Sequence, residues 1–99
     1  MTGFAKQQIR ETAKYIYAEF GKKSKDSFIL KVNQTKHLLE TNPCLGPVEP
    51  LLSDIPSNYR SIVVGHLNKL IYRILDDHIE ISDIWDVRRD PIILVEQHK

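Results

Sequence analysis

The sequence has little of several features that would assign it to a class at once. It holds one cysteine, Cys44, so a disulfide within the chain is excluded and a reducing compartment is expected. No apolar run approaches the roughly 20 residues of a membrane-spanning helix, and no signal peptide precedes the first predicted helix. We therefore expect a cytoplasmic protein without a membrane partner.

Signals for metal, cofactor or nucleophilic chemistry are equally scarce. The four histidines lack the spacing of a metal site, and the chain has neither a phosphate-binding glycine loop nor a serine nucleophile elbow. The sequence therefore predicts no metal, no cofactor and no catalytic residue. Whether the protein is an enzyme stays open, with a preference for a non-enzyme.

A large excess of either charge is also missing, since the net charge is +1. Residues 1–50 carry eight Lys/Arg against five Asp/Glu, which gives +3, and residues 51–99 carry six against eight, which gives −2. A protein that grips many phosphates usually has a larger basic excess. Any role in nucleic-acid recognition must therefore depend on a few well-placed arginines.

The first half of the chain has the periodicity of two helices. Apolar residues recur at three- and four-residue steps from Phe4 to Phe20, with Thr2 as a plausible N-cap and Gly21 ending the helix. A second helix, capped by Ser24 or Asp26, stops before a proline. Together these segments predict an αα-hairpin. The residues predicted to face its core are Ile9, Ala13, Ile16, Tyr17 and Phe20 in the first helix, and Phe28, Val32, Thr35 and Leu39 in the second.

A proline-rich connection, residues 43–58, leads into three predicted antiparallel strands. We expect this loop to pack on the rest of the chain and to carry no chemistry. A tight turn at Asp76-Asp77 pairs Arg73 with Glu80, and a β-bulge is predicted at Ser82-Asp83. A second turn, Gly65 to Asn68, pairs Val64 with Lys69. The face predicted to cover the helices contains Tyr59, Ser61, Val63, Leu70, Tyr72, Ile74, Ile79 and Ile81.

In this register Arg60 lies directly across from Arg73 on the solvent side, with Glu80 beside both. Like charges that face each other on a sheet are destabilising, and one carboxylate cannot satisfy two guanidinium groups. The pair, extended by Arg88 and Arg89, is therefore a candidate for binding phosphate or carboxylate groups. The alternative is structural: Arg73 and Glu80 form a solvated ion pair while Arg60 packs through its stem.

The order of these segments resembles the RelE/ParE superfamily of toxins from type II toxin–antitoxin systems. The resemblance covers nearly the whole chain and rests on Tyr59-Arg60, residues 70–74, Asp76-Asp77, residues 79–81 and residues 88–91. It implies an α+β fold, an N-terminal αα-hairpin packed on an antiparallel sheet of three or four strands. We expect a single toxin domain over residues 1–99, with hairpin 3–42, loop 43–58, sheet 59–87 and tail 88–99.

The resemblance also implies a growth-inhibiting bacterial plasmid-stabilisation toxin, neutralised by a cognate antitoxin that wraps its sheet or helical hairpin. One branch of the superfamily poisons DNA gyrase; the other cuts messenger RNA on the ribosome without a metal. The chain has no tyrosine beyond Tyr72, carries Asp86 where many nuclease members have histidine, and places His98 in an expected frayed tail. These departures favour gyrase, with target-binding candidates Arg60, Arg73, Arg88 and Arg89 and no catalytic residue. The alternatives are a ribosome-dependent endoribonuclease and an inactive toxin-like binding domain.

Superfamily members usually begin with a β-strand, whereas here Met1 falls almost at the first helix cap. Either the native start lies upstream or the sheet lacks one edge strand. A missing strand would leave an exposed edge that favours a homodimer or β-addition by the antitoxin. The apolar run 92–95 would offset that loss by adding a strand or by docking a partner.

Overall fold

The computed structural model describes residues 1–56, 58–65, 68–87, 95, 96 and 98. Two helices precede a three-stranded antiparallel sheet with strand order β1-β2-β3, which confirms the predicted α+β arrangement. One domain over residues 1–99 stays a prediction. The elements are α1 (Gly3–Phe20), α2 (Lys22–Thr41), a 3₁₀ turn (Pro50–Leu52), β1 (Arg60–Val64), β2 (Asn68–Ile74) and β3 (Ile79–Asp86).

A single residue, Gly21, connects the two helices of the hairpin. Thr2 caps α1 as predicted, because its hydroxyl accepts the Ala5 N–H at 3.0 Å. Gly21 ends α1 with φ +91° and is also the N-cap of α2, which has no side-chain cap. The prediction that Ser24 or Asp26 caps α2 is therefore wrong. A left-handed glycine lets the chain reverse within one residue, so that α2 starts before either side chain is reached.

The pairing of β2 with β3 follows the predicted register. Arg73 lies opposite Glu80, while Ile71 pairs with Asp83 and Tyr72 with Ile81. Ser82 is left as the extra residue between those two pairs. The predicted β-bulge is thereby confirmed, and it shifts the face that β3 presents after this point.

The predicted register between β1 and β2 is wrong by one residue. Val64 pairs with Asn68 rather than Lys69, and Arg60 pairs with Tyr72 rather than Arg73. The chain leaves β1 at Gly65, whose φ of +74° begins the turn. A slip of one residue exchanges the two faces of a strand. Accordingly Val64 is 2% exposed and Val63, predicted to face the helices, is 60% exposed.

Both faces of the sheet are covered. The helices pack on one face, called here the helix face, where Leu70, Tyr72, Ile81 and Ile84 join the buried side chains of α1 and α2. A second, smaller cluster lies on the other face, called the loop face. It contains Leu52, Tyr59, Ile71 and Trp85, with Ile55 and Val95 packed against it. The prediction that the loop packs down is consistent with this cluster.

The proline-rich loop also pairs with the outer edge of β1. The Ser61 N–H donates to the Pro47 carbonyl at 3.0 Å, and the Glu49 N–H donates to the Tyr59 carbonyl at 2.9 Å. On the outer side of β3, the Thr2 N–H donates to the Ile81 carbonyl at 3.0 Å. Residues 92–94 lie outside the described residues, so an added strand there stays a prediction, as does a homodimer. In the described part of the chain, no helix is long and apolar enough to cross a membrane.

Candidate functional site

Arg60 is the first residue of β1 and lies on the helix face. Its register partner is Tyr72, which belongs to the core beneath the helices. The Arg60 Nη1 donates a hydrogen bond to the Gly46 carbonyl at 2.8 Å. This half-buried guanidinium therefore holds the proline-rich loop against the sheet.

Arg73 follows Tyr72 along β2 and therefore points to the loop face. Its Nε donates to the Glu80 carboxylate at 2.9 Å, and its guanidinium carbon lies 5.9 Å from the centre of the Tyr59 ring. The predicted pair of facing arginines is therefore wrong, because Arg60 and Arg73 occupy opposite faces and each has an acceptor. Arg88 and Arg89 lie outside the described residues, and their role in a site stays a prediction.

The Tyr72 hydroxyl ties the loop to the centre of the sheet. It accepts the Gly46 N–H at 2.9 Å and donates to the Pro43 carbonyl at 2.6 Å. Burial raises the pKa of Tyr72, while the bond from Gly46 and the positive charge of Arg60 act in the opposite direction. A Cβ at Gly46 would lie 2.4 Å from the Ser61 carbonyl oxygen and 2.9 Å from the Tyr72 hydroxyl. Only glycine fits this close approach.

A buried carboxylate that the sequence analysis missed lies on the loop face. Glu49 is fully buried and accepts hydrogen bonds from the Ser61 hydroxyl at 2.5 Å and the Lys69 ammonium at 3.2 Å. The Leu51 N–H adds a third bond at 3.3 Å. A buried charge persists where such partners replace water. The sequence held one signal for this site. Glu49 lies between apolar and proline residues of a loop that is predicted to pack, and an acidic residue in such a loop needs a partner.

A cleft on the helix side is called here the helix groove. It lies between α1, α2 and the end of the sheet near Gly65 and has a volume of about 870 Å³. Two aromatic side chains at its rim are exposed, Phe20 by 67% and Tyr15 by 49%. Phe20 and Tyr17, the latter 55% exposed, were predicted to face the core, and that prediction is wrong. Both lie in the last turn of α1, next to Gly21 at the tip of the hairpin.

The comparison with known families is decisive. A family model described as the ParE toxin of the type II toxin–antitoxin system parDE matches residues 1–91. The chain belongs to this family. Membership confirms the predicted toxin of a type II toxin–antitoxin system and implies a cognate antitoxin. A comparison with curated proteins found no significant match.

In this ParE-family toxin, His98 does not lie in a frayed tail as predicted. It is 8% exposed, and its ring meets the Tyr59 ring edge-on at 5.1 Å between centroids. Its Nε2 lies 3.9 Å from a carboxylate oxygen of Asp83. The burial of His98 therefore comes from packing on the loop face. Asp86, at the end of β3, instead lines the helix groove.

Proposed function

We propose that this ParE-family toxin inhibits growth by binding DNA gyrase and not by cutting RNA. The observation that carries this proposal is the placement of Arg60 and Arg73 on opposite faces of the sheet. RNA cleavage by 2′-OH attack needs cations at the phosphate and groups that move protons beside them. One phosphate cannot contact two guanidinium groups that point away from each other, so this pair cannot act together on it.

The surroundings of the buried Glu49 carboxylate also favour gyrase binding over RNA cleavage. Glu49 and Lys69 are a carboxylate and an ammonium in contact, the kind of pair that could move a proton. However, Glu49 is 0% exposed and bonded to Ser61, Lys69 and Leu51. A substrate would reach it only if the proline-rich loop left the sheet. The arrangement is that of a structural anchor.

In the proposed function the arginines have different roles. Arg73 is proposed to contact the target from the loop face, and its partly exposed guanidinium beside Tyr59 and Glu80 supports this role. Arg88 and Arg89 are proposed to extend that surface, as the sequence predicts. Arg60 contributes through the loop that it holds at Gly46. Recognition by arginine suits carboxylate or phosphate groups of the target, because the guanidinium binds them in a bidentate way.

The test compares both targets with the same purified toxin. We expect the toxin to inhibit supercoiling by purified gyrase and to leave ribosome-bound messages intact in a primer-extension assay. Arg73→Ala should weaken gyrase inhibition at least tenfold. Arg10→Ala on α1 is the matched control and should change inhibition by less than about twofold, with circular dichroism confirming that both variants fold.

Three outcomes would contradict the proposal. Cuts at fixed codon positions with normal gyrase activity would favour the endoribonuclease. Unchanged growth on induction, together with tight antitoxin binding, would favour an inactive binding domain. Equal inhibition by Arg73→Ala and the wild type would remove Arg73 from the target-binding surface.

A further inference from the structure

We propose that one side of the helical hairpin binds the phosphate backbone of duplex DNA, through Lys6 and Arg10 of α1 and Lys36 of α2. This contact is separate from the gyrase recognition proposed for Arg73 on the loop face, and it does not require gyrase to be the target.

The two helices bring these cations together at a small cleft, called here the basic furrow. It has a volume of about 220 Å³ and shares no lining residue with the helix groove. Its lining includes Lys6, Ile9 and Arg10 of α1 and Ile29, Val32 and Asn33 of α2. Lys36 follows Val32 by four residues and Asn33 by three, so it lies on the same side of α2. Both helices therefore contribute positive charge to one surface.

This positive charge is not compensated nearby. The helices carry eight Lys/Arg and four Asp/Glu, and no acidic side chain lines the furrow in the part of the chain that the structure describes. Three acidic residues have other neighbours, in the pairs Glu11–Lys14 at 3.9 Å, Asp26–Lys25 at 3.8 Å and Glu40–His37 at 3.7 Å. The fourth, Glu19, follows Arg10 by about two and a half turns and lies on the opposite side of α1. Lys6, Arg10 and Lys36 have no ion-pair partner among the described residues.

The spacing of the cations along α1 suits a regular row of phosphates. Lys6, Arg10 and Lys14 follow one another at four-residue steps, about 6 Å apart along the helix axis. Lys14 contributes to this row because its contact with Glu11 joins two exposed side chains and is weak. The row is about 12 Å long, and one strand of a duplex carries a phosphate roughly every 3.4 Å along its axis. The row therefore spans about three or four phosphates.

The aromatic side chains around the hairpin favour a duplex over other partners. Protein interfaces usually centre on aromatic anchors, and the exposed rings of Tyr15 and Phe20 line the helix groove instead. Single-stranded nucleic acids stack their bases on free ring faces. Tyr17 follows Lys14 by three residues, and the Lys25 ammonium lies 5.8 Å from its ring centre, over one face. A duplex needs no stacking surface, because its phosphates lie on the outside and positively charged side chains reach them directly.

The test measures binding of the purified toxin to a short fluorescein-labelled DNA duplex of random sequence by fluorescence anisotropy, at several concentrations of NaCl. The logarithm of the wild-type binding constant should fall against the logarithm of the salt concentration with a slope of about −3. Lys6→Gln/Arg10→Gln should bind about fivefold more weakly or worse and make the slope shallower by about 2. Lys23→Gln/Lys31→Gln removes the same charge from the helix groove, and its affinity should change by less than about twofold. Circular dichroism checks that both variants fold.

Several results would overturn the proposal. Wild-type affinity of Lys6→Gln/Arg10→Gln would remove the basic furrow as the DNA contact, and equal losses in the two double variants would show only a response to net charge. A wild-type slope near zero would exclude phosphate contacts. Tighter binding to single-stranded RNA of the same length, or to poly-L-glutamate, would assign the furrow to RNA or to an acidic protein. Arg73→Ala should bind the duplex like the wild type, and gyrase is absent from the assay, so failure of the proposed target leaves the result intact.

Discussion

Removal of the Tyr72 hydroxyl tests whether the proline-rich loop is held by the two bonds described above. In Tyr72→Phe the Pro43 carbonyl loses its donor and the Gly46 N–H loses its acceptor. A net loss of about 1 kcal/mol is expected for the first bond, and about 1–3 kcal/mol for leaving the buried N–H unsatisfied. The free energy of unfolding should fall by about 2–4 kcal/mol, which corresponds to a decrease in Tm of roughly 10–20 °C at this chain length.

Urea unfolding followed by circular dichroism measures this loss at neutral pH. Tyr17→Phe is the matched control, because it removes the same hydroxyl from a side chain that is 55% exposed, and it should change stability by less than about 0.5 kcal/mol. A similarly small change in Tyr72→Phe would refute the structural role of the hydroxyl. In that case water, or movement of the loop, would replace both bonds at little cost.

The stability difference between the wild type and Tyr72→Phe should also depend on pH in the alkaline range. Burial raises the pKa of Tyr72 above its ordinary value of 10.0, so the folded state favours the neutral phenol. This stabilisation is fully present below the unfolded pKa and is lost as pH rises through the raised folded pKa. The stability difference between wild type and Tyr72→Phe should stay constant up to about pH 9 and shrink above about pH 10. A constant difference across that range would contradict the assignment to Tyr72.

Three further substitutions test the other contacts of the loop and the first helix. Gly46→Ala should lower the free energy of unfolding by about 1–3 kcal/mol or more, because its Cβ would overlap the Ser61 carbonyl. Urea unfolding measures this loss of stability. Glu49→Gln should lower the free energy of unfolding by about 1–3 kcal/mol, because it leaves Lys69 without its carboxylate. In a double-mutant cycle, the variant Glu49→Gln/Lys69→Gln should lose less than the sum of the two single variants. Additive losses would exclude an interaction between Glu49 and Lys69. Thr2→Ala should cost about 0.5–2 kcal/mol in thermal unfolding while Thr2→Ser costs much less, and equal losses would exclude the cap.

Features that depend on neighbouring residues could be predicted from the sequence. The bounds of α1 follow from Thr2 and Gly21, which act within one turn of the helix that they cap or end. The bulge at Ser82 was visible as a break in alternation, and the Asp76-Asp77 turn sets the pairing of β2 with β3. In each case the determining contact spans a few residues, so that the sequence carries the signal directly.

The register of β1 could not be predicted in this way. Ile62, Val63 and Val64 are three apolar residues in a row, so alternation permits either face to be buried. The choice is made by Gly65, where the chain turns one residue early, and by the loop that pairs along the outer edge of β1. Glu49 was missed for a related reason: its partners Ser61 and Lys69 are 12 and 20 residues away along the chain, and only the folded sheet brings them together.

The one-residue difference in register changes what the arginines can do. With Arg60 opposite Arg73, two like charges would have shared one side of the sheet and left binding capacity for an anion. With Arg60 opposite Tyr72, each guanidinium lies on its own face, one bonded to the Gly46 carbonyl and the other to Glu80. The loop that carries Gly46 also carries Glu49, so one segment is anchored on both faces of β1. If substitution of Arg60 abolishes toxicity, displacement of the loop is therefore the first explanation. A lost contact with the target follows only if the loop stays in place in the variant.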